Sequence, residues 1–151
     1  MVNFSLIIAN NKRSLVYLDE LFKESYFPKE VIVLDKKNKF INNLIVLKKI
    51  KVKFLNTRDI NCSRAINYIL NSKINTFIYS GYASQIIKNI KLLKSKKFIH
   101  AHPGKIPEFK GSTTIFYSIL KDKSVHCSVF RMNKVLDSGK IILIKKFNIK
   151  I

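Results

Sequence analysis

"FIHAHPGKIPEFKGSTTIFYSIL" (98–120) decides the fold of this chain. An apolar run ends in two histidines, meets a loop holding two prolines and two glycines, and passes into a segment with helical spacing. Residues i and i+2 of a strand point to the same face, so His100 and His102 project together. Pro103 stops regular ladder pairing, and Gly104, Pro107 and Gly111 shape a tight, fixed loop. Ser112 is placed to cap the helix "STTIFYSILK" (112–121). Strand, fixed loop and helix in that order are a building unit of α/β proteins.

Working outward, the same alternation recurs. Apolar density marks strands at 4–10 ("FSLIIAN"), 29–35 ("KEVIVLD"), 51–56 ("KVKFLN"), 74–82 ("INTFIYSGY") and 96–102 ("KKFIHAH"). Between them, 13–26 places Leu15, Leu18, Leu21 and Phe22 on one helical face. The segment 63–72 turns Ala65, Ile66, Ile69 and Leu70 inward, and 84–94 ("SQIIKNIKLLK") reads as a further helix. The stretch 38–50 fits either element. Two more strands, 126–133 and 140–149, are joined by a turn around Asp137, Ser138 and Gly139, with Val125, Cys127 and Val129 inward and His126 structural. The expectation is one α/β domain over 1–151, a Rossmann-like, mostly parallel sheet flanked by helices, with the last strands antiparallel. Ligands of such sheets sit at the carboxyl ends of the strands. The Gly81 loop, His100–Gly104 and the Asp137 turn all reach that edge.

The length and the 47% hydrophobic content suit a core of useful size. No apolar run approaches the ~20 residues that span a bilayer, and "MVNFSLIIANNKRSL" (1–15) reads as a first strand rather than a leader. A cytoplasmic protein without a membrane partner is expected, with Cys62 and Cys127 as reduced structural thiols. The net charge of +20 suggests a polyanion. Against this, arginine appears only at 13, 58, 64 and 131, and the lysines are scattered among isoleucines and asparagines. That pattern reads first as a solvated basic surface.

A rigid histidine beside a carboxylate suits proton transfer, because the carboxylate orients the imidazole and stabilises its charged form. His102 and Asp137, in its own turn, are the candidates.

The run His102-Pro-Gly-Lys-Ile-Pro-Glu-Phe-Lys-Gly111, followed by Leu136-Asp137-Ser-Gly139, resembles the signature of the folate-dependent formyltransferases. That family contains glycinamide ribonucleotide, methionyl-tRNA and nucleotide-sugar enzymes. The segment "YSGYASQI" (79–86) resembles its formyl-folate pocket. The resemblance is specific over about 76–143. It implies formyl transfer from 10-formyltetrahydrofolate to a primary amine, with no metal, through a tetrahedral oxyanion. It assigns His102 and Asp137 as catalytic. It places Gly81, Tyr82, Ser84, Leu136 and Gly139 against the folate. Lys12, Arg13, Gly104, Lys105, Lys110 and Gly111 fall beside the small-molecule amine. The family's oxyanion-binding asparagine falls on His100, whose N–H is expected to donate in its place. Relatives continue past the last strand, so the domain is expected to be short at its C-terminus.

The acceptor narrows on the first loop. Glycinamide ribonucleotide enzymes resembling this one cradle a phosphate on a glycine-rich loop, whereas "IIANNKRSL" (7–15) has no glycine. A nucleotide-linked amino sugar is the first expectation, and tRNA the second on account of charge. A catalytically degenerate basic binding module is the non-enzymatic alternative. A metal site from His100, His102 and Asp137, with His126, is another reading of the same residues. Singly, each has a plainer role: histidines packed at a strand end, an Asx-turn at Asp137, glycines that give backbone freedom.

Overall fold

A computed structural model describes residues 3–149. Its elements are β1 (Ser5–Ile8), α1 (Lys12–Lys23), β2 (Glu30–Val33), α2 (Lys39–Val46), β3 (Lys51–Phe54), α3 (Ser63–Leu70), β4 (Thr76–Ser80), α4 (Ile90–Ser95), β5 (Lys97–His102), α5 (Thr114–Asp122), β6 (Ser124–Met132) and β7 (Gly139–Asn148). All seven strands form one sheet in the order β3-β2-β1-β4-β5-β6-β7. The pairings from β3 to β5 are parallel. Those of β5 with β6 and β6 with β7 are antiparallel. The expected mixed sheet is therefore present. Its order reverses between β1 and β4, where α/β sheets open a crevice for ligands.

Alternation along the central strands builds two cores. Leu6, Ile8, Val31 and Val33 face one side and pack with Leu18 of α1 and Ile41 and Ile45 of α2. Leu15, Leu21 and Phe22 flank that cluster, as the helical spacing anticipated. Ile7, Ile32, Phe77, Tyr79 and Phe98 face the other side, against Ala65 and Ile69 of α3 and Leu92 of α4. The ambiguous stretch 38–50 resolves into α2.

Asn11 caps α1 by accepting the Ser14 N–H at 2.9 Å. Ser14, fully buried, donates its hydroxyl to Ser80 O at 2.6 Å and accepts from Ala9 N–H at 3.1 Å. This ties the β1–α1 loop to the end of β4.

Three local expectations are corrected. Residues 84–89 are not helical, because side chains take their backbone groups. Asn61 donates to Ile86 O at 2.9 Å and accepts from Lys88 N–H at 2.8 Å, and the Gln85 amide donates to Arg58 O at 2.7 Å. Only then does Asn89 cap α4, accepting from Leu92 N–H. Ser112 does not cap α5. Thr113 holds that position without a side-chain bond, and Thr114 instead donates to Pro103 O at 2.6 Å. The third concerns β6, which begins at Ser124 and turns its polar face inward. Ser124, His126, Ser128 and Phe130 are buried, while Val125, Cys127 and Val129 are half-buried. The inner face lies under α5 and the 103–111 loop, and the Ser128 hydroxyl satisfies two backbone groups of that loop.

Candidate active site

Three segments converge at the carboxyl ends of β4 and β5. They are the β5 terminus with its loop, the segment after β4, and the β6–β7 turn. Arg13, from the start of α1, completes a cavity of about 250 Å³ between them. Arg13, Tyr82, Ser84, His100, His102, Gly111, Leu136 and Asp137 line it. Eight of the residues singled out in the sequence thus meet in one place. Gly81 sits at its margin, with its carbonyl accepting from the Arg13 guanidinium.

The remaining candidates lie outside the cavity lining. Lys12 and Lys110 are exposed. Lys105 is paired with Glu108 at 2.8 Å. Gly139, with φ of 136°, makes the β7 turn against Arg131 O. Gly104 acts from beneath: a Cβ there would stand 2.8 Å from His102 Nε2 and 2.7 Å from Phe109 O. Glycine alone lets the loop close over the imidazole.

His102, only 3% exposed, is held at both ring nitrogens. A carbonyl oxygen can only accept, so Nε2–H donates to Phe109 O at 3.0 Å. Nδ1 faces Asp137 Oδ1 at 3.4 Å. The other carboxylate oxygen accepts Gly111 N–H at 2.8 Å. Asp137 adopts φ of 44°, a left-handed conformation that aspartate tolerates. The turn thereby aims its carboxylate back at β5.

His100 has different partners. Its Nδ1–H donates to Tyr79 O at 2.8 Å. Its ring stands edge-on to Tyr79 and to Phe130, with centroids 6.1 and 5.8 Å away. Burial pushes its imidazole below the ordinary value. The bond to Tyr79 O opposes that shift and the positive Arg13 adds to it.

Sequence reasoning did not find the clamp at the cavity mouth. Tyr82 donates its hydroxyl to Asp35 Oδ2 at 2.6 Å, and the Arg58 guanidinium lies over the Tyr82 ring at 5.5 Å. The Tyr82 hydroxyl, more than any other neighbour, holds the Asp35 carboxyl below the usual carboxylate range. Asp35 directly follows the apolar run of β2, and that position at the strand's carboxyl end was the available signal. The cavity wall of Ile86, Phe130, Met132, Val135 and Leu136 is apolar.

Among the described residues, no three or more His, Cys, Asp and Glu side chains are grouped to hold a metal ion. His126 lies away from the cavity, with Nδ1 3.2 Å from the Ser118 hydroxyl. Cys62 and Cys127 are both free thiols. No helix among the described residues is long and apolar enough to cross a membrane.

No protein-family model matches the chain. Methionyl-tRNA formyltransferase from Buchnera aphidicola (Schizaphis graminum strain) is 34% identical over 82 residues, covering 54% of this chain and 26% of that protein. A counterpart from the Acyrthosiphon pisum strain Tuc7 is 38% identical over 74 residues, 48% of this chain and 23% of that one. The chain thus spans about a quarter of the length of these curated relatives. Among solved structures, phosphoribosylglycinamide formyltransferase from Campylobacter jejuni superposes with a TM-score of 0.75 at 23% identity, over 97% of this chain and 82% of its own. A sugar N-formyltransferase from a Shewanella species gives 0.66 at 22%, over 99% and 59%. The chain is thus similar in sequence, over about half its length, to methionyl-tRNA formyltransferases, and similar in fold, over nearly all of it, to solved formyltransferases.

Proposed function

We propose that this chain transfers a formyl group from 10-formyltetrahydrofolate to a primary amine. The observation that carries this reading is the His102–Asp137 pair, 3.4 Å apart at the floor of the cavity, although the two residues are far apart in the chain. The apolar wall suits a flat heteroaromatic donor, with the polar groups gathered where its reactive end would lie. When bound, the donor supplies the formyl group. The chain's own residues do the rest. Asp137 fixes the ring of His102 and balances positive charge on it. Arg13 draws an anionic acceptor toward the cavity. Tyr82, clamped by Asp35, walls the mouth.

For the acceptor we favour a nucleotide-linked amino sugar. The β1–α1 loop offers little to a phosphate: Ala9, Asn11, Ser14 and Leu15 N–H groups are all taken within the protein. That weighs against a glycinamide ribonucleotide cradle. Methionyl-tRNA is the second reading, favoured by the likeness to the Buchnera enzyme and by the +20 charge.

The test follows tetrahydrofolate release with nucleotide-linked amino sugars, glycinamide ribonucleotide and methionyl-tRNA as acceptors. Turnover with one amine, lost in His102→Ala and Asp137→Ala, is expected. Salt-sensitive RNA binding without folate binding would instead make the chain a basic binding module.

A further inference from the structure

The two histidines of the cavity have four ring nitrogens, and three of them face protein oxygens. His102 uses both of its own, toward Phe109 O and Asp137. His100 uses Nδ1, and the geometry of that bond fixes its tautomer. Tyr79 O can only accept, so the neutral ring carries its proton on Nδ1 and its lone pair on Nε2. Among the described residues no side chain or backbone group is recorded as a partner of His100 Nε2. Nor is it sealed away, for the buried polar atoms without a partner are the hydroxyls of Ser5 and Ser124. The ring lines the cavity and is held upright between Tyr79 and Phe130.

This arrangement does not suit the donor role expected from the sequence. The N–H that would meet an oxyanion already serves Tyr79 O. A second N–H would require a charged ring. The charged groups around it are Arg13 from α1, His102 from β5 and Asp137 from the β6–β7 turn. Burial and Arg13 keep the ring neutral.

We propose that His100 Nε2 is the proton acceptor for the attacking amine, a catalytic base rather than an oxyanion donor. This rests on the formyl-transfer reading above. In the step, the amine nitrogen bonds to the formyl carbon and that carbon's bond to N10 of the donor breaks. The amine's proton passes to His100 Nε2 and from there to N10 as tetrahydrofolate leaves. Atoms and charge balance, and His100 returns to its neutral form.

The experiment has an arm that needs no turnover. Long-range nitrogen–proton spectra of the histidine-labelled protein read the tautomer directly. The Nδ1–H form of His100 is expected at pH 7, and an Nε2–H or doubly protonated ring overturns the proposal. In turnover assays His100→Asn keeps an N–H donor but removes the base, so a loss of roughly 10²–10⁴-fold is expected. A His100→Asn rate at or above wild type overturns it. His100→Ala should regain rate with added imidazole. A folded His100→Ala protein that stays inactive with imidazole also overturns it. Wild-type protein that binds no folate and turns over no amine sinks the formyl-transfer reading itself, an outcome distinct from these.

Discussion

Ser128 and Ser124 sit on the same inward face of β6, both essentially inaccessible to solvent, yet they should differ sharply in cost when replaced by alanine. The Ser128 hydroxyl donates to Gly104 O at 2.6 Å and accepts Ile106 N–H at 3.0 Å. It pins the loop that follows His102. Removing it strands two buried backbone groups, each costing about 1–3 kcal/mol, so Ser128→Ala should lose roughly 2–6 kcal/mol. The Ser124 hydroxyl has no partner among the described residues, so Ser124→Ala should be neutral or mildly stabilising. The chain lacks tryptophan, so urea unfolding is best followed by far-UV circular dichroism. With a slope of about 2 kcal/mol per molar urea, the two midpoints should separate by roughly 1–3 M. Equal midpoints, or a Ser128→Ala loss below about 0.5 kcal/mol, would refute the claim that this hydroxyl holds the loop.

Tyr82→Phe removes the group that most lowers the Asp35 carboxyl. A carboxyl depressed in the folded state contributes stability above its unfolded value of about 4, lost as pH falls through the folded one. The stability gap between wild type and Tyr82→Phe should therefore be full at pH 7 and shrink in acid. A gap that grows on acidification contradicts the assignment. Arg13→Gln should raise KM for an anionic amine acceptor with much less effect on kcat, and the rise should shrink at high salt. An unchanged KM would remove Arg13 from acceptor binding.

The sheet was legible because its central strands are nearly continuous apolar runs bounded by polar or helical segments, the mark of strands buried on both faces. The histidine pair was legible because period-two spacing before Pro103 leaves little choice of face. Legibility failed where side chains bond to backbone. Ile86, Ile87 and Ile90 keep helical spacing, but the Asn61 side chain captures Ile86 O and Lys88 N–H first. On β6 the valines predicted the wrong inner face. The Ser128 hydroxyl is buried there because the loop above needs its bonds, which hydrophobic patterning does not express.

The same limit applies to the chemistry of the site. The sequence presents His100 and His102 as two equivalent imidazoles on one face. Their difference arises from elements distant in the chain. Asp137, delivered by an antiparallel turn, meets one ring, while Tyr79 O from the neighbouring parallel strand meets the other. Arg13, brought in where the strand order reverses, adds positive charge near His100 and thereby favours its neutral form. A histidine paired with a carboxylate is suited to carry charge, and one beside a cation is suited to accept a proton only transiently. One strand end can therefore supply two different functions from one residue type. The division depends on the β4–β5 pairing and the β6–β7 turn being in register with it, so a perturbation of either element should alter the two histidines separately rather than together.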